Sequence, residues 1–128
     1  MGFLVGLGFA PSHMRLLEVR GRKSGKLHTT PIDLLELDGR RYVVAPRGRT
    51  QWVRNAEAAG EITLKRGSTR QAFRLRPLSE VEKLPILKAY LDRFKNEVQR
   101  YFLVTAGSPP EAFADLAASY PAFELLRK

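Results

Sequence analysis

The stretch GRKSGKLHTTPIDLLEL, residues 21–37, joins a turn of cationic and small residues to a long run of strand character. Before it, Leu16, Leu17 and Val19 form a first short β run that ends at Gly21. The turn Gly21–Lys26 therefore lies between strands and brings backbone N–H groups, a hydroxyl and fixed positive charge to one place. That combination suits a phosphate- or carboxylate-bearing ligand, although a soluble basic hairpin has the same composition. In the run from Leu27 to Leu37, Ile32 and Leu34 share one face while Leu35 and Leu37 share the other. The change of phase at Leu34–Leu35 predicts a bulge or burial on both faces, as barrel strands show.

Working outward, Asp38-Gly39 is a hairpin signal that feeds a third strand, Arg41 to Ala45, ended by Pro46. Trp52 to Ala59 predicts a short helix closed by Gly60 in the left-handed conformation glycine tolerates. Glu61–Arg66 and Thr69–Leu75 pair across Gly67-Ser68 as a second hairpin. The period then switches. Ser79 and Glu82 form a capping box opening a helix whose apolar positions Leu84, Leu87, Leu91, Phe94 and Val98 recur every three or four residues. Pro85 is expected to kink that helix or split off a first turn. Ser108-Pro109-Pro110-Glu111 starts a further helix ending near Ser119, and Tyr120 to Leu126 reads as a closing strand. Five or six strands with one short helix among them, followed by helices, predict an α+β, mainly β, fold: a small barrel with helices packed on it. One domain spans 1–128, with an apolar segment at 1–14, barrel strands and the site at 15–76, helices at 79–119 and the closing strand at 120–126.

Composition narrows the function. The 128 residues are 44% hydrophobic, enough for a real core, and contain no cysteine, which excludes disulfides, thiolate metal sites and cysteine nucleophiles. Two histidines, His13 and His28, are too few and too separated for a metal cluster without several carboxylates. No apolar run is long enough for a membrane span. The opening MGFLVGLGFAPSHM lacks the cationic start of a signal peptide and reads as a terminal segment over the core, with weak membrane-surface contact through residues 1–10 as the other reading. A cytoplasmic protein is expected. Charge is informative by position: from Arg15 to Arg76 there are 15 Lys/Arg against 6 Asp/Glu, and from Pro77 to Lys128 there are 7 against 7. The whole net +9 of the chain sits in its first part and implies an anionic partner.

No side-chain constellation for catalysis is evident. Ser24, Ser68 and Ser79 lack a nearby His and acid. Asp33 and Glu36, three apart on a strand, face opposite sides and read as solvated positions. A cofactor would then carry the chemistry. A second segment supports a site: Ala45-Pro46-Arg47-Gly48-Arg49-Thr50-Gln51-Trp52 leaves a strand, passes a Gly loop and enters a helix. Helix N-termini attract anions, and Trp52 can line a pocket for a planar ring or anchor the core. Arg54 and Asn55 follow within the first helical turn and could reach the same mouth.

The ordered set GRKSGK, a Pro five residues on, a DG hairpin, YVVA, a Gly loop and W-x-x-N before an Ala-rich helix resembles the deazaflavin-dependent nitroreductase and quinone reductase family. The similarity runs from about Leu16 to Leu75 and continues loosely into the helices and Tyr120–Leu125. It implies a split β-barrel related to flavin reductases, and binding of coenzyme F-420, a deazaflavin with a phosphate and an oligoglutamate tail. In this resemblance Arg22, Lys23 and Ser24 match the turn that holds the phosphate and acidic tail. His28, Thr29, Thr30, Pro31, Ile32 and Asp33 run along the cofactor. Ala45, Pro46, Arg47 and Gly48 match the loop beneath the ring, and Gln51, Trp52, Val53, Arg54 and Asn55 the helix start that closes the pocket. Two departures stand out: the loop Arg47–Gln51 is short, without paired glycines or a Pro before the Trp, and His28 replaces a common Arg.

The resemblance implies an oxidoreductase in which reduced F-420 gives hydride to a planar acceptor such as a quinone, an enone or a nitroaromatic. Arg22, Lys23 and Lys26 would form a cationic clamp, Ala45–Gly48 the ring support and Trp52 an aromatic wall, with no catalytic side chain or metal assigned. Tyr90 and Tyr101 read as core residues that could otherwise donate a proton. The alternatives are an FMN-, FAD- or haem-binding split barrel, a non-catalytic F-420 carrier, and, remotely, a basic barrel for single-stranded nucleic acid. The last needs more aromatic platforms than Tyr42, Trp52 and Phe73 supply. Pairing of two copies through a sheet face is compatible with such barrels.

Overall fold

Seven strands form one sheet in the order β2-β1-β5-β6-β7-β4-β3 in the computed structural model, which describes residues 13–128. They are β1 (Met14–Arg20), β2 (Leu27–Asp33), β3 (Leu35–Leu37), β4 (Arg40–Val44), β5 (Glu61–Arg66), β6 (Thr69–Pro77) and β7 (Ala122–Arg127). Every neighbouring pair is antiparallel. The outermost strands, β2 and β3, are consecutive pieces of one chain segment separated by Leu34 alone. A sheet whose two edges are joined by a single residue must curl until the edges meet, which makes a barrel.

That junction corrects the reading of 27–37 as one strand and accounts for a seventh. Leu34 and Leu35 are both buried but in different cores. Leu34 joins Leu17, Val43, Leu64, Phe73 and Phe123 inside the barrel. Leu35 joins Tyr42, Val44, Leu87 and Leu91 on the outside, under the long helix. Strand β4 and the residue after it show the same two-sided burial, with Val43 and Ala45 inward and Tyr42 and Val44 outward, as the period of two requires.

The turns follow their residues. Asp38 (φ 52°) and Gly39 (φ 77°) both take positive φ between paired Leu37 and Arg40, which matches the twist of the strands they join. Helix α1 (Gln51–Ala59) sends Val53 and Ala56 into the barrel core and is stopped by Gly60 at φ 75°. Helix α2 (Glu80–Val98) opens with both bonds of the Ser79–Glu82 capping box and lays Leu87, Leu91, Phe94 and Val98 on the outer face.

Two helix expectations need correction. Pro85 does not break α2; the departure from helical geometry comes at Phe94 (φ −111°, ψ 25°). The bond Pro85 cannot make would have gone to the carbonyl of Val81, an exposed residue where water can substitute. Residues 110–119 form two 3₁₀ turns, Pro110–Phe113 and Ala117–Ser119, in place of an α-helix. An α-helix through Ala117 would need an N–H at position 121, which is proline; the Ala117 carbonyl instead accepts from Lys83 Nζ at 2.9 Å. No helix among the described residues is long and apolar enough to cross a membrane. Residues 1–12, and with them the expectation for 1–10, lie outside the described part.

Candidate cofactor site

A cleft of about 1050 Å³ opens between the β1–β2 turn, β2, the loop after β4, the start of α1 and the end of α2. Its volume lies just above the usual range for small-molecule sites. Arg22, Lys23 and Ser24 line one end, and Pro46, Arg47, Gly48 and Trp52 line the wall beside it. The basic tip and the indole thus face one groove.

The tip is a built turn. Gly21 N donates to the Lys26 carbonyl at 2.8 Å, Gly25 N to the Gly21 carbonyl at 2.9 Å, and Lys26 N to Ser24 Oγ at 3.1 Å. Gly25 supplies the positive φ, 73°. At Gly21 the need is close approach: a Cβ there would lie 2.8 Å from His28 Nε2 and 2.9 Å from Ser24 Oγ. Arg22 is fixed to α1, since its backbone N–H and Nη1 both donate to Asn55 Oδ1 (3.1 and 2.7 Å) and Nη1 also donates to Gln51 Oε1 (2.9 Å). These partners are neutral, so the guanidinium is held without losing its charge.

The loop after β4 turns back on itself, with Gly48 N donating to the Ala45 carbonyl at 3.1 Å and Gly48 at φ 83°. Thr50, the residue before α1, makes no side-chain cap, and the first turn of α1 carries no acid. The helix dipole there is left for a bound anion, and Thr50, Gln51 and Trp52 stand in the cleft wall. Pro31 lies on the edge strand β2, where its missing N–H removes no interior ladder bond.

Of the residues named from sequence, the cleft gathers Arg22, Lys23, Ser24, His28 to Asp33, Ala45 to Gly48, Gln51, Trp52 and Asn55. Three stand apart. Lys26 is exposed and its side chain lies outside the wall. Val53 is fully buried in the barrel, because a helix sends position 53 to the face opposite its mouth. Arg54 is exposed, its Nε donating to the Arg49 carbonyl at 3.3 Å. Thr50, part of the second segment named from sequence, also lines the cleft, and sequence reasoning missed Met14, Glu97 and Arg100, which line it too. Glu97 precedes Val98, the last buried position of the α2 stripe, but the stripe shows only which face is covered, not that its end overhangs a groove.

Asp33 also departs from expectation. It is half-buried in the cleft, and burial, reinforced by the Glu97 carboxyl, raises its pKa from 3.8 to about 6 while His13 opposes the rise. His13, Asp33 and Glu97 meet there, so one histidine does find carboxylates. Tyr90 is buried yet lines the cleft, and burial pushes its hydroxyl well above the ordinary tyrosine range.

The donor set fits a polyanionic cofactor: guanidinium, ammonium, turn N–H groups and an uncapped helix start converge at one end, while the carboxylates of the wall, Asp33 and Glu97, lie at the other. No curated protein matches this chain. Among solved structures, the fold is similar to Atu2129, a protein of unknown function from Agrobacterium tumefaciens str. C58 (TM-score 0.67, 17% identity, 90% of this chain and 48% of that one). This chain therefore spans about half the length of the Agrobacterium protein. It is similar also to the F420-H2 dependent reductase FDR-A (0.60, 20%, 89% and 94%) and to an FAD-binding protein from Mesorhizobium loti (0.58, 10%, 91% and 79%). At these identities the likeness shows the fold, a split barrel. The model of the F420H(2)-dependent quinone reductases matches residues 2–105, from before β1 past the end of α2, and the chain belongs to that family of oxidoreductases, whose cofactor is F-420.

Proposed function

We propose that this chain transfers hydride from reduced F-420 to a planar quinone-type acceptor held in the same cleft. One observation carries the reading: the cationic turn at 22–24 and the Trp52 wall share one groove, joined through the Arg22–Asn55 clasp. The cofactor, when bound, supplies a hydride. The chain supplies position. Arg22 and Lys23, with the uncapped start of α1, hold phosphate and carboxylate groups by charge-assisted bonds. Gly48, Ala45 and Trp52 offer a flat, largely apolar bed that excludes water and aligns two rings, and alignment is the main contribution a protein makes to such a transfer.

The test is a titration followed through Trp52, the sole tryptophan. Saturable change on adding F-420, and oxidation of reduced F-420 by a panel of quinones, are the expected results. Enones and nitroaromatics in the same panel define the acceptor class. Tight FMN binding without F-420 binding would overturn the cofactor, and F-420 binding with no turnover on any acceptor would make the protein a carrier.

A further inference from the structure

Three titratable groups from three elements meet at the end of the cleft away from the cationic turn. His13 stands just before β1, Asp33 ends β2 and Glu97 lies in the last turn of α2. His13 Nε2 is 3.4 Å from Asp33 Oδ1 and 3.3 Å from Glu97 Oε1, and the three groups' polar atoms all fall within 4.8 Å of one another. Both carboxyl groups line the cleft. Near them is the hydroxyl of Tyr90, on α2, which feels both carboxyl groups, and Tyr101, just beyond α2, stands in the same wall. The Phe94 ring, with the Arg93 guanidinium over it at 5.8 Å, packs on the His13 ring at 4.7 Å, and Arg100 lies over the Tyr101 ring at 4.9 Å.

The Asp33 and Glu97 carboxyl groups lie within that 4.8 Å, and burial together with the neighbouring Glu97 carboxyl favours a proton on Asp33. The place where that proton sits is set by the strand. From His28 to Asp33 are five residues of extended chain, about 16 Å at ~3.3 Å each, so the pair stands well away from Arg22 and Lys23. An anionic tail drawn to the cations is kept off the carboxylates, and an uncharged planar acceptor is not repelled by them.

We infer that the Asp33–Glu97 carboxyl pair, oriented by His13, is the proton donor to the acceptor. The inference rests on the reductase reading above and deepens it. Hydride addition to a quinone places two electrons and one hydrogen on the acceptor and leaves one oxygen negative. The carboxyl O–H bond breaks, its proton passes to that oxygen to complete the hydroquinone, and the pair is reprotonated from solvent through exposed Glu97. Asp33 and Glu97 are then one acid shared between two elements, and the raised Asp33 pKa keeps it protonated toward neutral pH.

The experiment has two readouts. In the protein without cofactor, a carboxyl ¹³C NMR titration should give Asp33 a midpoint near 6; Glu97→Gln should lower it and His13→Gln should raise it, following the opposed influences of those neighbours. In turnover, kcat with a quinone should fall as pH rises through that midpoint, and Glu97→Gln should move the fall to lower pH with the Kd for F-420 unchanged. Asp33→Asn should lower kcat at pH 6 roughly a hundredfold or more, the usual scale of general acid catalysis. An Asp33 midpoint at its ordinary 3.8, or a kcat profile that none of these variants moves, would overturn the proton-donor role. Failure of the wild-type protein to bind F-420 would instead remove the reductase reading and the inference with it.

Discussion

Asn55 Oδ1 accepts two hydrogen bonds from Arg22, one from the backbone N–H at 3.1 Å and one from Nη1 at 2.7 Å. One buried amide oxygen therefore ties the basic turn to α1 and fixes the distance between the two arms of the cleft. Asn55→Ala leaves the Arg22 N–H without its partner at a part-buried position. It should destabilise the fold by about 1–3 kcal/mol in urea denaturation and weaken F-420 binding as well. Unchanged stability would mean that the clasp forms only on binding.

Lys23 is exposed, and its side chain is called on for nothing in the fold among the described contacts. Lys23→Ala should leave the urea midpoint where it is and weaken F-420 binding by about 1–3 kcal/mol, the scale of one charge-assisted contact. The loss should shrink as salt is added, because an exposed ion pair is screened. Calorimetric titration at two salt concentrations measures both effects. A salt-independent loss would place Lys23 in a packing role.

How much was legible in the sequence follows from how local each signal is. Asp38-Gly39, Gly60 and the Ser79–Glu82 box act within a few residues of themselves, and each forms the turn or cap its residues dictate. The phase change at Leu34–Leu35 was readable too, because two adjacent leucines cannot both face one side of a strand. What it meant was not: that one residue joins both edges of the sheet depends on pairings made far along the chain. The site divided the same way. The turn, the Gly loop and the helix start are named from local signals, and they line one cleft. Glu97 and Arg100 reach the cleft only because α2 packs where it does, and no local pattern encodes that crossing.

Gly21 is required for space, since its φ is not in the left-handed region. In Gly21→Ala the new methyl group meets the His28 ring and Ser24 Oγ below 3.0 Å, so one of them must move. A cost of about 1–3 kcal/mol is expected from this overpacking, with weaker F-420 binding as the turn opens. Adding His28→Ala should recover part of the stability, whereas no recovery would put the strain at Ser24. Thermal denaturation of the single and double variants decides.

Asp33 makes stability depend on pH in a direction opposite to most carboxylates. Its pKa rises from 3.8 to about 6 on folding, so between those values the native chain keeps a proton that the unfolded chain has released. By linkage, the contribution of Asp33 to stability falls as pH rises from about 4 to about 6 and stays lost above that. The full cost at pH 7 is about 1–3 kcal/mol, allowing for the solvent that reaches the cleft. Asn carries no charge to desolvate. Asp33→Asn should therefore stabilise the protein in urea at pH 7 and make little difference at pH 4, where the native carboxyl is already neutral. A variant destabilised equally at both values would show that Asp33 is kept for its hydrogen bonds. The expected result would instead mark it as a group retained against folding stability, as residues that serve a reaction often are.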